Sequence, residues 1–411
     1  MMKRTVLAGL LALGLSAVVS TAAEVRNGAR GLVYEVDTAA KEFTLLTTTA
    51  YDPEQMGKEN RFRVRYSDKT VFTLVKTERN LLHVPAEGRD AVAFYLKKEE
   101  FAKAEETGKV TTRTLEILPT CGRQKQEISA ERGRIYGMVT PAKDRRGLTA
   151  TLTVGEREFS YRLGRRGTVR FVSPSDASAL LPCVSTARIG GREKDGTLEV
   201  TRIEVSHLPD PRKTDDPNLP RVLIIGDSIS MNYNASLKGF LAGKANYHRI
   251  DGNAGPTSRG VTSVDLWLGP YHQKGLHWDA IQFNHGLHDL AKNADGTYLS
   301  DESQYKKNLE YIISRLKLTE AKLIWATTTP VPNDGGRGRK KGASKAYNAY
   351  AAEVLKNHPE VRVTDLYAVA ISDAVSDEWR QGNNVHFGAE DSAALGKAAA
   401  DGILAVLGQG K

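Results

Sequence analysis

The sequence predicts a doubly wound α/β domain, a parallel sheet covered by helices on both faces, behind two small all-β units. Three observations predict it. After residue 220, short apolar runs alternate with amphipathic helical stretches, the pattern of a parallel sheet buried on both faces. Before residue 210, the runs alternate apolar and polar residues at period two, and the set occurs twice. Between them, Pro209-Asp-Pro-Arg-Lys-Thr-Asp-Asp-Pro-Asn-Leu-Pro220 holds four prolines in twelve residues without periodicity, as a linker does.

Taken in order, residues 1–23 read as an export leader. Lys3 and Arg4 precede an apolar run from Val6 to Val19, and small residues follow at Ser20-Thr-Ala-Ala23. The run is too short to span a bilayer, and no later segment is apolar enough, so the mature chain is expected to be exported, periplasmic or extracellular, and not membrane-spanning. Cys121 and Cys183 are the only cysteines. An oxidising compartment permits a disulfide between them, and two separate buried thiols fit equally. The net charge is +9, yet residues 219–411 carry 22 basic against 20 acidic side chains, so most of the excess lies earlier. It is interspersed there rather than clustered, which reads as a solvated basic surface and gives no reason to expect a specific nucleic-acid partner.

Residues 24–125 and 126–208 form the two β units. Arg30-Gly-Leu-Val-Tyr-Glu-Val-Asp-Thr-Ala-Ala-Lys41 is answered by Arg134-Ile-Tyr-Gly-Met-Val-Thr-Pro-Ala-Lys143, Arg61–Tyr66 by Glu158–Leu163, and Thr114–Pro119 by Leu198–Val205. Short strands, glycine-rich turns and units of this size suit a small barrel of the oligonucleotide/oligosaccharide-binding (OB) type, or a sandwich. No dense aromatic series marks a stacking face, so a spacer or docking role is open beside glycan binding.

Residues 221–411 form the α/β domain. Strands are expected at Val222–Ile225, His248–Ile250, Ala280–Phe283, Lys322–Thr327 and Val361–Val363, with helices at 235–241, 302–316, 343–356 and 391–406. In such a sheet, ligands sit outside the carboxyl ends of the strands. Arg221-Val-Leu-Ile-Ile-Gly-Asp-Ser-Ile-Ser230 therefore places Ser228 toward substrate and makes it the candidate nucleophile. Gly255, after the second strand, can bring its N–H close to an oxyanion. Phe283-Asn-His-Gly-Leu-His-Asp-Leu290 follows the third strand, and Gln381-Gly-Asn-Asn-Val-His-Phe-Gly388 offers His386 as general base. His285, His288 and Asp289 suggest a metal site as the alternative use of their loop, but they lack a helical scaffold and a third spaced ligand, so neither metal nor cofactor is called for.

These four places, in this order, resemble the SGNH (GDSL-type) hydrolases, with a flavodoxin-like three-layer fold. Gly226-Asp227-Ser228 matches the serine block, Gly255 the glycine block, Gly286-Leu287-His288-Asp289 the Gly-x-Asn-Asp block with histidine for asparagine, and Asn383-Asn384-Val385-His386 the Asp-x-x-His block with asparagine for aspartate. The resemblance covers about 190 residues and none of the β half. It implies a serine esterase in which Ser228 attacks, His386 takes the proton and Asn383 orients His386. The oxyanion is held by Ser228, Gly255 and His288, with Asn284 as reserve donor. An acid from elsewhere, Asp373 or Asp377, is the alternative orienter. The expected substrate is a small-molecule or polysaccharide ester, first an O-acetyl group on a carbohydrate. A lipid or aryl ester is the alternative, as is a carbohydrate-binding protein with a degenerate site. Gly335-Gly-Arg-Gly-Arg-Lys-Lys-Gly342 is expected at the same edge, as a mobile solvated loop or as a clamp for an anionic glycan. Oligomeric state is left open.

Overall fold

The computed structural model describes residues 23–408 apart from 26, 49–50, 55, 57–60, 95, 119–126, 183, 195–196 and 334. The leader read in residues 1–23 thus lies, except for Ala23, outside the described residues, as do Cys121 and Cys183.

The α/β domain is a five-stranded parallel sheet made of β14 (Arg221–Ile225), β15 (Asn246–Arg249), β16 (Ala280–Phe283), β17 (Lys322–Ala326) and β18 (Arg362–Thr364), in the order β15-β14-β16-β17-β18. All of β14 and β16 is buried, because helices cover both faces and leave no strand position to water. Helices α5 (Thr257–Leu268), α6 (Glu302–Lys317) and α7 (Ala343–Leu355) pack side by side, while α4 (Asn234–Leu241) packs on α10 (Ala389–Leu407). The chain leaves β14 in one direction, to β15, and returns past it to β16, so the strand order reverses between β14 and β16. Their carboxyl ends open the crevice where such sheets take ligands. The expected strands and helices are all present. Helix α5 was not expected, because Gly255-Pro256 and Gly260 read as loop. The helix tolerates Gly260 because it needs it, since a Cβ there would lie 2.4 Å from Ile312 Cδ1 and 2.9 Å from His285 Nε2.

The β half departs from two consecutive domains. Its strands are β1 (Ala23–Glu24), β2 (Arg30–Asp37), β3 (Glu42–Leu46), β4 (Arg61–Arg65), β5 (Val71–Glu78), β6 (Arg89–Phe94), β7 (Lys109–Ile117), β8 (Glu127–Ser129), β9 (Arg134–Pro141), β10 (Thr149–Val154), β11 (Arg157–Ser175), β12 (Ser185–Lys194) and β13 (Thr197–His207), with α1 (Lys98–Thr107) between β6 and β7. Both repeats run as a three-stranded meander followed by a hairpin, but the hairpins are exchanged. The meander β2-β3-β4/β5 is closed by β12, antiparallel to β2 (Thr186 opposite Leu32), and by β13, parallel to β5 (Arg202 opposite Val71). The meander β9-β10-β11 is closed by β6, antiparallel to β9 (Ala91 opposite Gly137), and by β7, parallel to β11 (Thr168 opposite Thr114). Antiparallel pairing of β5 with β11 joins the two groups of strands into one 13-stranded sheet.

The cores follow the exchange. Val33, Phe43, Leu45 and Val64 pack with Ala187, Ile189, Ile203 and Val205, and Ala91, Ala93 and Leu115 pack with Ile135, Val139, Leu152 and Phe159. The boundaries 24–125 and 126–208 therefore mark the repeating sequence and not the compact bodies. Since either hairpin carries the pattern that closes either meander, internal similarity alone cannot say which copy closes which.

The first barrel rests on the α5–α6 face. Tyr34 Oη meets His272 Nδ1 at 2.9 Å, Tyr51 Oη donates to Asn308 Oδ1 at 2.9 Å, and Leu266 packs on Leu32, Tyr34 and Leu46. Among the described residues, no helix is long and apolar enough to cross a membrane.

Candidate active site

Strand β14 ends at Ile225, and the chain turns through Gly226-Asp227 into the short helix α3 (Ser228–Asn232). Asp227 caps that helix, its Oδ1 accepting from Ile229 N at 2.9 Å. Arg249, at the end of β15, holds the turn from below. It donates to Gly226 O (3.0 Å), Asp227 O (3.3 Å) and Ser230 Oγ (2.8 Å), and to Ile250 O (2.9 Å) and Gly252 O (2.7 Å) on the next loop. Ser228 is thereby fixed at the carboxyl edge, half-buried, with an N–H that begins a helix and has no intrahelical acceptor. Asp227 is fully buried, and burial pushes its carboxyl pKa up.

His386 Nε2 lies 2.9 Å from Ser228 Oγ. The partner of its Nδ1 is Asn384, whose Oδ1 stands at 2.9 Å and also accepts from His386 N at 3.1 Å. An amide oxygen only accepts, so the ring proton sits on Nδ1 and the bare Nε2 faces the serine hydroxyl. This corrects the expected orienter. Asn383 is exposed, with no side-chain hydrogen bond among the described residues, because the contact is a local turn in which an Asn side chain reaches the residue two positions on. The outside acids do not serve either. Asp373 is exposed and Asp377 pairs with Arg380. The His386 loop is braced by Trp379 stacked on Phe387 (4.1 Å between ring centroids) and by Asp391, which accepts from Ser376 N and Oγ, each at 2.8 Å.

If Asn384 orients His386, Asn384→Asp should raise kcat, because a carboxylate keeps the same tautomer and adds charge opposite the imidazolium. A charge-assisted bond exceeds a neutral one by about 1 kcal/mol, so the rise should be roughly fivefold, and Asn383→Asp should give none. Initial rates on p-nitrophenyl acetate decide between the two positions.

The oxyanion candidates separate. His288 Nδ1 lies 3.3 Å from Arg337 Nη1. A guanidinium only donates, which leaves the proton of a neutral imidazole on Nε2, as a donor. Burial, reinforced by Arg339 and Arg337, pulls the His288 pKa down to about 4 and keeps the ring neutral. Gly255 has φ +66°, but its N–H already donates to Asn253 Oδ1 at 2.7 Å, so it can serve only when Asn253 releases it. Asn284 Nδ2 donates one N–H to Ala326 O at 2.7 Å, tying the end of β16 to β17, and lies 3.5 Å from Thr328 Oγ1, so only its second N–H is left for a reserve role.

The three groups read as a possible metal set have different tasks. His285 is fully buried, with Nδ1 at 3.0 Å from Gly255 O, and burial takes its pKa down to about 4. Gly286 allows the chain to leave it, since a Cβ there would lie 2.1 Å from Thr328 Oγ1. Asp289 Oδ1 accepts from Thr257 N (2.8 Å), Thr257 Oγ1 (2.5 Å) and Ser300 Oγ (2.7 Å), pinning the start of α5. Among the described residues, no three His, Cys, Asp or Glu side chains stand close enough to share a metal.

Burial, opposed by those hydrogen bonds, raises the Asp289 pKa to about 6. The native chain then holds this proton more tightly than the unfolded one, whose Asp titrates near ~3.9, so the stabilisation is full below that value and is lost as pH rises through about 6. Asp289→Asn removes this dependence, while the opposite one of His285, lost as pH falls from ~6.5 toward about 4, is common to both proteins. Denaturant titrations should show wild type gaining about 1 kcal/mol on the variant between pH 7 and pH 5. A constant difference would mean that Asp289 is ionised throughout.

The cationic segment is tied to its surroundings by hydrogen bonds. Arg339 is buried, with Nε donating to Leu287 O at 2.7 Å and Nη1 to Gly335 O at 3.2 Å, so it is a brace rather than part of a clamp. Arg337 holds a left-handed φ of 54°, and its carbonyl accepts from Lys292 N at 3.0 Å. On the other side, Asn333 Nδ2 donates to Gln381 O (2.6 Å) and Gly382 O (3.1 Å), joining the segment to the His386 loop. Arg249, Asn253, Asn384 and the Arg337–His288 contact are what the sequence reading missed. Only Asn384 carried a local signal, an Asn two residues before a His.

No family model and no curated protein matches the chain. Solved structures do. A GDSL-like lipase from Bacteroides thetaiotaomicron is 15% identical over 46% of this chain and 88% of its own, with a TM-score of 0.34. An acetyl xylan esterase is 15% identical over 44% of this chain and 97% of its own, with a TM-score of 0.35. The lipase/acylhydrolase of Enterococcus faecalis is 20% identical over 45% of this chain and 95% of its own, with a TM-score of 0.34.

Proposed function

We propose that the chain is an exported serine esterase acting on O-acetyl groups of a carbohydrate. The observation that carries the chemistry is the Ser228 Oγ to His386 Nε2 contact of 2.9 Å, with the tautomer set by Asn384. Ser228 Oγ bonds to the ester carbonyl carbon as its proton passes to His386 Nε2. The carbonyl oxygen takes up negative charge and meets the N–H of Ser228 and the Nε2–H of His288, with the Gly255 N–H joining once Asn253 lets go. Collapse breaks the bond to the alcohol, whose oxygen takes the proton from His386. A water then repeats the sequence on the acyl-serine, giving acetate and free serine. The half-buried serine beside an exposed histidine suits a small acyl group carried on a bulky, solvated alcohol such as a glycan.

A second reading, a carbohydrate-binding protein with a degenerate site, is favoured by the occupied Gly255 donor and by the neutral partner of His386. A serine-directed phosphonate probe separates the two. The esterase should be labelled at Ser228, mapped by mass spectrometry, whereas the binding protein should not be labelled.

A further inference from the structure

Two arginines stand at the rim of the site without a counter-charge. Arg337 is fixed beside His288 by the ties of its loop to Lys292, to Leu287 through Arg339, and to Gln381 and Gly382 through Asn333. Arg259 lies in the first turn of α5 and is exposed, its Cδ 3.3 Å from where a Cβ on Gly255 would be. Both cations act on the same His288 ring. Neither guanidinium meets a carboxylate among the described residues, although Arg170, Arg221, Arg315 and Arg380 each pair with one. The nearest acid by sequence to the nucleophile, Asp227, is buried under the turn and is used as a helix cap.

The oxyanion is already met by the N–H of Ser228 and the Nε2–H of His288 in the reaction as written, which leaves the two guanidinium groups without a task in it. Two exposed cations from different elements, both acting on the His288 ring, are suited to a resting anion on the substrate. Arg337 can present the rest of its planar fork to a carboxylate while one N–H stays on His288.

We propose that the physiological ester is carried by an anionic glycan, with a carboxylate near the acylated hydroxyl bound between Arg337 and Arg259. This rests on the esterase reading and specifies its substrate class. Arg339 is excluded from the contact by its burial, and Lys340 and Lys341 are exposed beyond it.

The test compares an acetylated oligogalacturonide with its carboxyl-reduced counterpart, which keeps the acetyl groups and loses the charge. The wild-type protein should prefer the anionic substrate in kcat/KM by about tenfold or more, as charged hydrogen bonds of this kind supply. That ratio should fall toward one in the Arg259→Gln/Arg337→Gln variant, and in wild type when salt is raised from 50 to 500 mM. A wild-type ratio of one, or a ratio unchanged in the variant, overturns the proposal.

Should neither acetylated substrate turn over, the esterase reading fails and calorimetry on unacetylated oligogalacturonide still judges the anion site. Salt-sensitive binding that is lost in the double variant upholds it, and absent binding overturns it. Tighter binding of a sulfated neutral oligosaccharide would replace the carboxylate assignment.

Discussion

Replacing Ser228 by alanine should lower kcat on p-nitrophenyl acetate by about 10⁴ to 10⁶ and abolish labelling by the phosphonate probe. The size follows from what the hydroxyl does. Without Oγ there is no covalent intermediate, and the Nε2 of His386 has no proton to accept, so the serine and the histidine are lost together. In serine hydrolases, removal of either member alone costs nearly as much as removing the whole set, leaving only about 10³ to 10⁴ over water from the remaining donors. The double variant Ser228→Ala/His386→Ala should therefore be no slower than Ser228→Ala. The fold should be indifferent to the change, since the Ser228 side chain bonds only to His386 while the turn is held by Asp227 and Arg249. Turnover surviving Ser228→Ala in a folded protein would remove the nucleophile assignment.

His288→Ala should lower kcat by about 10² to 10³ with little change in KM, the usual consequence of losing a donor engaged only when the carbonyl oxygen becomes charged. Because its pKa is held down to about 4, the ring stays neutral across the range in which esterases are assayed, and the deficit should be constant from pH 6 to pH 8. Asn284→Ala separates this from a general disturbance of the loop. Its Nδ2 donates to Ala326 O, between strands, so the variant should lose stability and keep kcat per folded molecule. The reverse pattern, a deficit at Asn284 and none at His288, would reassign the donor.

What the sequence disclosed follows from how far each signal reaches along the chain. The parallel sheet was legible because β14 is apolar after Arg221 and β16 is apolar but for Gln282, a mark that burial on both faces leaves in a few consecutive residues. Ser228 and His386 were legible through their positions after a strand and near the chain end. Three-dimensional choices were not. Asn384 and Asn383 are the same residue type one position apart, and only the turn geometry chooses between them. Arg249 reads as one more charge at a strand end until the turn it staples is seen. Asn284 reads as a free amide in a site loop, whereas one of its two N–H groups goes to Ala326 O on a neighbouring strand 42 residues later in the chain. The β half was readable as a set of short strands, but which strands pair is a long-range choice among similar partners.

That exchange has a consequence during protein synthesis. The meander β2–β5 leaves the ribosome long before β12 and β13 exist, and it remains without its complete closing hairpin while about 130 further residues are made, an interval of roughly 6 to 26 s. The second barrel meets no such delay, since β6 and β7 precede the meander they close and wait only for β9–β11. The nascent chain should thus complete its inner barrel first and hold an open-edged, partly apolar ribbon in reserve until residue 207 has emerged. Stalled or prematurely ended chains that stop between residues 175 and 207 would carry a finished barrel and an unfinished one in the same molecule, and the unfinished edge is where chaperones or a second nascent copy would attach.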